Sequence, residues 1–152
     1  MKFICDDNLG KLAKYLRILG FDTAFNEHID NNALLRLAAL EERILLTRDR
    51  QLEKKTHPFG LLLFSCNEPI EQLKTVVAHF TLTLDSSEFF KRCSICNEIC
   101  TEIDKSLARD EIFPYILATQ EIVRQCPRCR RYYWKGSHYS KIIGKLGVVL
   151  AK

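Results

Sequence analysis

Lys2-Phe3-Ile4-Cys5-Asp6-Asp7-Asn8-Leu9-Gly10-Lys11-Leu12-Ala13-Lys14-Tyr15-Leu16-Arg17-Ile18-Leu19-Gly20 joins a short apolar run to a segment with helical periodicity. Residues 2–5 read as a short buried strand, and Leu9, Leu12, Ala13, Leu16 and Leu19 recur at helical spacing until Gly20 closes the helix. The same alternation continues downstream. Residues 21–25 make a second strand, 31–42 a helix with Leu34, Leu37 and Ala38 on one face, and 43–47 a third strand. A short helix, a strand over 60–65 and a helix over 68–80 opened by Pro69 complete the series. Strands alternating with helices predict an α/β domain with a mainly parallel sheet between helical layers. Periodicity breaks over 81–88, so the spacing predicts a domain over 1–90 and a smaller module over 91–152.

That module carries two Cys-x-x-Cys turns, Cys93-Ser-Ile-Cys96 and Cys126-Pro-Arg-Cys129. Two such turns supply the four sulfur ligands of a closed, structural zinc site. The 29 residues between the pairs exceed the usual spacing of roughly 15–20, which predicts an insertion between the knuckles. Disulfides or a redox motif are the competing reading, but neither explains why the motif occurs twice. Seven cysteines, an odd number, point to a reducing compartment, the cytoplasm. Cys5 and Cys66 read as small buried hydrophobes, and Cys100 stands beside an already complete ligand set. No window holds 18 apolar residues, so no membrane span is expected.

The net charge of +4 is unevenly spread: residues 1–92 hold 13 basic and 13 acidic residues, whereas 93–152 hold 10 and 6. From 122 to 152 there are eight Lys/Arg and no acid, interleaved with Tyr132, Tyr133, Trp134 and Tyr139. Cations that neutralise phosphates beside rings on which bases stack suit single-stranded nucleic acid. Arg128, Arg130, Arg131, Tyr133, Trp134, Lys135 and His138 are the candidate contacts, against the plainer reading of a solvated basic surface with packed aromatics. For His138, packing ranks ahead of RNA contact or proton donation.

In open α/β sheets, sites form beyond the carboxyl ends of the strands. Asp6 and Asp7 follow the first strand, Asp30 the second and Asp49 the third, whereas Asp22 starts the second strand and belongs to the opposite edge. Carboxylates gathered at one crevice stay ionised together around a divalent cation, and hard oxygens suit Mg2+ or Mn2+. Such ions activate water for attack on phosphorus. Asn8 is placed to hold a phosphate; Lys11, Lys14, Arg17 and Arg48 are placed to meet a nucleic-acid backbone. Asp30 and Asn8 also read as helix caps worth about 1 kcal/mol each, and the cations as a solvated face.

Phe3 to Ala13 as quoted, Leu16-Arg17, Leu19-Gly20-Phe21-Asp22-Thr23 and Ile44-Leu45-Leu46-Thr47-Arg48-Asp49 resemble the mut-seven carboxy-terminal RNase family. Cys126-Pro127-Arg128-Cys129 and Tyr133-Trp134-Lys135-Gly136-Ser137-His138-Tyr139 are similar to its closing knuckle, so the resemblance covers nearly the whole chain. It implies a PIN-like three-layer α/β/α nuclease domain carrying a zinc ribbon, with Asp6 and Asp49 as matching catalytic acids and Asp30 as a further one. Asp7 and Asn8 stand where the family commonly has a small residue and a methionine, and Arg130 replaces a glycine common after the second knuckle. PIN-type domains often pair, which allows a homodimer. The competing reading is a non-catalytic RNA-binding or ribosome-associated protein on a PIN-like scaffold, and a regulatory protein partner accompanies a toxin-like one. A phospho-accepting receiver domain is a third, weaker reading of Asp6 and Asp7, because the chain enters a zinc module where a receiver needs its fifth strand and lysine.

Overall fold

The computed structural model describes residues 1–150, with the side chains at 138, 148 and 150 outside the description. The expectations for the His138 side chain therefore lie outside the described residues. Strands β1 (Lys2–Cys5), β2 (Asp22–Phe25), β3 (Ile44–Thr47) and β4 (Leu61–Leu63) alternate with helices α1 (Gly10–Ile18), α2 (Asn31–Leu40), α3 (Arg50–Glu53) and α4 (Pro69–His79). The strands pair in parallel in the order β2-β1-β3-β4, with Phe3 opposite both Thr23 and Ile44.

Strand pleating divides the apolar residues between two cores. Phe3 and Cys5 face α1 and α4 with Leu46 and Leu62, whereas Ile4 and Leu45 face Leu34 and Ala38 of α2 and Leu52 of α3. The sheet is thus covered on both sides, which is why its strands read as continuous apolar runs. The end of α1 shows what Gly20 does. Phe21 N–H reaches Leu16 O at 2.9 Å and Gly20 N–H reaches Arg17 O at 3.0 Å, the paired bonds of a Schellman motif, with Gly20 at φ +97°.

The second half builds a three-stranded antiparallel sheet from β5 (Thr101–Glu102), β6 (Arg124–Gln125) and β7 (Tyr132–Tyr133). Between the knuckles lies the expected insertion, which includes α5 (Pro114–Thr119) and its own small core of Ala108, Ile112 and Val123. A final helix, α6 (Ser137–Leu150), returns to the first half. Leu146 and Val149 are buried in the same core as Leu73, Val76, Phe89 and Phe90. One hydrophobic cluster therefore crosses the composition break near residue 90. No helix among the described residues is long and apolar enough to cross a membrane.

The first knuckle is fastened to edge strand β2. Thr23 N–H donates to Asn97 Oδ1 at 3.0 Å, so the knuckle takes an outward donor that an open edge would present to another chain. Asp22 Oδ1 accepts from Asn97 Nδ2 at 2.8 Å and from Arg43 Nη1 at 2.6 Å, at the amino end of β2 and away from the carboxyl edge. Burial alone would raise the Asp22 carboxyl, but the hydrogen bonds from Arg43 and Asn97 outweigh it and hold the group below its ordinary value.

A carboxyl depressed in the folded state stabilises above its unfolded pKa, about 3.9, and that contribution disappears as pH falls through the folded value. Asp22→Asn should therefore cost about 1 kcal/mol at pH 7, allowing for solvent screening, and less at pH 2.5, below the unfolded value. Urea unfolding at both pH values checks this; an equal loss at both would show that the ion pair is not the source.

Candidate functional site

The chain passes from β1 to β2 on one side and returns to β3 on the other, so β1 and β3 flank the switch point of the sheet. Asp6 leaves the carboxyl end of β1 there and is buried, 4% exposed. Its Oδ1 accepts from Asn8 N–H at 3.0 Å; its Oδ2 accepts from Arg48 N–H at 2.9 Å and from the Thr47 hydroxyl. Thr47 Oγ1 in turn accepts from Asp49 N–H at 2.9 Å. Asp49 caps α3 through Gln51 N–H at 2.8 Å, and its other oxygen accepts from Asn31 Nδ2 at 2.9 Å. Asp30 caps α2 through Asn32 and Ala33 N–H at 2.9 and 3.0 Å.

Asp6, Thr47, Asp49 and Asn31 thus form one hydrogen-bonded chain across β1, β3, α3 and the start of α2. Sequence reasoning assigned roles to neither Thr47 nor Asn31. A buried threonine two residues before an aspartate at a strand end was the available signal for Thr47; Asn31 carried none, because its partner lies 18 residues away.

An ionised carboxylate offers about four acceptor sites. Protein donors take three at Asp6, two at Asp49 and two at Asp30, so each acid retains acceptor capacity. Among the described residues, however, the three acids do not converge as a ligand cluster. A closed protein cage for a divalent cation is absent there. The donor set fits the habit of Mg2+, which binds through one or two carboxylates and completes its shell with water and substrate phosphate. Asp7 and Asn8 are exposed and line a polar cleft of about 800 Å³ beside Lys11, Glu27 and Glu68. The Arg48 guanidinium keeps a buried Nε without a protein partner.

The four knuckle sulfurs, Cys93, Cys96, Cys126 and Cys129, lie within 4.8 Å of one another, and Cys93 and Cys129 are 3.7 Å apart. Tetrahedral Zn–S bonds of about 2.3 Å require sulfurs about 3.8 Å apart, whereas a disulfide requires about 2.05 Å. A zinc ion fits this set, and all seven cysteines are free thiols. Each knuckle turns through a residue in the left-handed region, Asn97 at φ 67° and Arg130 at φ 63°. That conformation explains why glycine suits the Arg130 position. The Tyr133 hydroxyl contacts Cys93 Sγ at 3.0 Å and accepts from Ser94 N–H at 3.2 Å. Burial would push the Cys93 thiol up, yet hydrogen bonds from Tyr133 and the Cys96 and Ile95 amides bring it down to about 7. Cys100 is buried in the same cluster with its thiol raised to about 12 by burial and the neighbouring sulfurs; it packs beside the four without joining them.

Among the basic candidates, Lys11, Lys14, Arg128, Arg130, Arg131 and Lys135 are exposed. Arg17 is a correction: it is 5% exposed and donates to Thr23 O and Ile95 O at 2.8 Å and to Ser94 O at 3.3 Å. A step of three residues turns a helix by roughly 300°, so the 11-14-17 series drifts by about 60° per step and carries Arg17 into the interior. Alternation along β7 sends the Tyr133 hydroxyl to the cysteines and Tyr132 to the insertion core, and Tyr133 stays half-buried. Trp134 packs partly against that insertion core, and Tyr139 lies 4.8 Å from Phe90 with Lys135 Nζ 5.6 Å above its ring.

The model of the Mut7-C RNAse domain matches residues 1–146. A human protein named "Exonuclease mut-7 homolog" (Homo sapiens) is 31% identical over 101 residues, covering 63% of this chain and 12% of that protein. The chain thus spans only a small part of that relative's length. No solved structure matches.

Tyr133→Phe removes the hydroxyl from Cys93 while keeping the ring in place. Such outer partners are typically worth about 10–100-fold in metal affinity. Competition of the zinc-loaded protein against a chromophoric chelator should show a loss of about tenfold or more in zinc affinity; unchanged affinity would reduce Tyr133 to packing.

Proposed function

The chain belongs to the Mut7-C RNAse domain family, and from that membership we propose that it is a metal-dependent ribonuclease of PIN-like fold, hydrolysing RNA phosphodiester bonds at the carboxyl edge of its sheet. The observation that carries the reading is the link from Asp6 through Thr47 to Asp49 at the ends of adjacent parallel strands. The three-layer arrangement, with its acids at the switch point, supports the PIN-like assignment.

One or two of Asp49, Asp30 and Asp6 would hold Mg2+ or Mn2+, with water and substrate phosphate completing its shell, and the ion would supply positive charge for the leaving oxygen and lower the pKa of the attacking water. The chain's own residues do the rest. Thr47 holds the Asp6 carboxylate in one orientation and fixes the backbone of Asp49. Asn31 restrains the second oxygen of Asp49. Asn8 offers an exposed amide donor to a phosphate, and Asp7 adds negative charge beside the site. Lys11 and Lys14 neutralise backbone phosphates, while the zinc ribbon brings Arg128, Arg130, Arg131, Trp134 and Lys135 to the RNA.

One observation favours a non-catalytic RNA binder: three protein donors already occupy Asp6. The two readings separate on turnover. Asp49→Asn keeps a good helix cap and the side-chain volume but removes a charge. It should lower RNA cleavage by about 100-fold or more, with RNA affinity and zinc content preserved. Cleavage of mixed single-stranded and hairpin RNA with manganese, with magnesium and with chelator measures this. Cutting by Asp49→Asn at the wild-type rate would sink the assignment; wild-type binding in chelator with the RNA left intact under every condition would favour the binder.

A further inference from the structure

We propose that single-stranded RNA lies along the outer face of α1, running from the acidic edge to an aromatic groove at the joint with the ribbon, where bases stack beside Trp134. The inference rests on the ribonuclease reading and gives it a substrate class, an unpaired strand.

Three depressions follow one another across the surface. The cleft holding Asp7, Asn8 and Lys11 shares Gly10, Phe25 and Glu27 with a shallower depression. That depression shares Lys14, Ser94 and Ile95 with a groove of about 490 Å³. The path is therefore continuous from the carboxyl edge of the sheet to the ribbon. Lys11 and Lys14 stand along it at helical spacing, and Arg131 stands at its far end.

The groove itself suits bases. Phe113, Tyr132, Trp134 and Tyr139 line it, and Phe113 is 77% exposed. Every base has a π-face, so stacking on such rings tolerates any sequence, and nearby cations add to it. Four acids lie on the route, Asp7 and Glu68 in the cleft, Glu27 where the cleft meets the middle depression and Glu111 at the groove, against the three cations. Paired bases keep their faces inside their own stack, which excludes a duplex from the groove. Helix α1 has nine residues, about 13 Å long. A strand touching both ends needs on the order of four nucleotides, the short end of known single-strand sites.

Trp134 is the one tryptophan of the chain, so its emission reports on the groove directly. The test uses the zinc-loaded full chain carrying Asp49→Asn, which keeps RNA whole, titrated with a mixed-sequence 12-nucleotide single strand and with the same sequence as a blunt duplex. Saturable quenching by the single strand and none by the duplex is the expected result. Lys14→Ala on the same background should weaken single-strand binding by about tenfold and reduce the salt slope by about 1. Gly136→Ala keeps every cation but brings a Cβ to 2.6 Å from Trp134 Nε1, so it should shift the ring and diminish the quenching. Saturable binding by anisotropy with unchanged Trp134 emission, or a Lys14→Ala variant with unaltered affinity and salt slope, overturns the track, the outcome expected if the groove takes an apolar peptide instead. Quenching with no wild-type cleavage would retain the track and defeat the catalytic reading; metal-dependent cleavage without quenching would do the reverse.

Discussion

A buried guanidinium holds the two halves of this protein in register. Arg17 sits in the interior without a carboxylate partner among the described residues, and its burial lowers its pKa. Taking a cation out of water is costly unless hydrogen bonds replace its hydration. Here the carbonyls of Thr23, Ser94 and Ile95 do so, and they belong to β2 and to the first knuckle. The donors of one side chain therefore tie the parallel sheet to the first knuckle. Asn97 adds to the joint by bonding both Thr23 N–H and Asp22, and Arg92 bonds Asn97 O. With the knuckle seated there, Ser94 and Ile95 come alongside the outer face of α1, and the surface depressions join into one path.

At the carboxyl edge the acids serve the fold as well as the site. Asp30 and Asp49 cap helices, and Asp6 ties the end of β1 to the end of β3. Capping orients a carboxylate by using some of its lone pairs and leaves the others directed outward. Asp6 is the extreme of this arrangement: its position is tightly determined and its remaining acceptor capacity is small. Thr47 couples the pair, because one hydroxyl donates to Asp6 and accepts from the backbone of Asp49.

The ribbon has little hydrophobic core of its own. Its four-cysteine cluster and the small cluster under the insertion are separate, with β7 between them, Tyr133 on one side and Tyr132 on the other. Its remaining support comes from α6, whose Leu146 and Val149 are buried against the first half. Aromatic residues that looked available for bases are therefore shared between packing and surface. Tyr133 packs against the cysteine cluster, and it, Trp134 and Tyr139 are all only partly covered.

Much of this was legible in the residues alone. Strand and helix order through residue 80, the Asp30 cap, the paired knuckles with an insertion between them, and the separation of Asp22 from the other acids all follow from periodicity, capping chemistry and ligand spacing. These are local quantities, encoded within a few residues of one another. The helix over Ser137–Leu150 is equally local, with Ile142, Ile143, Leu146 and Val149 recurring at helical spacing among its basic residues. What only the tertiary structure decided are contacts between residues distant in sequence: Asp6 with Thr47, 41 residues apart, and Arg17 with Ile95, 78 apart. Composition assigns Arg17 to a basic face, but helical drift of about 60° per three residues turns it inward, and strand alternation carries the hydroxyl of the half-buried Tyr133 to the cysteines. Side-chain type and spacing specify which elements form; the packing angle between elements decides which side chains meet, and no local pattern contains that angle.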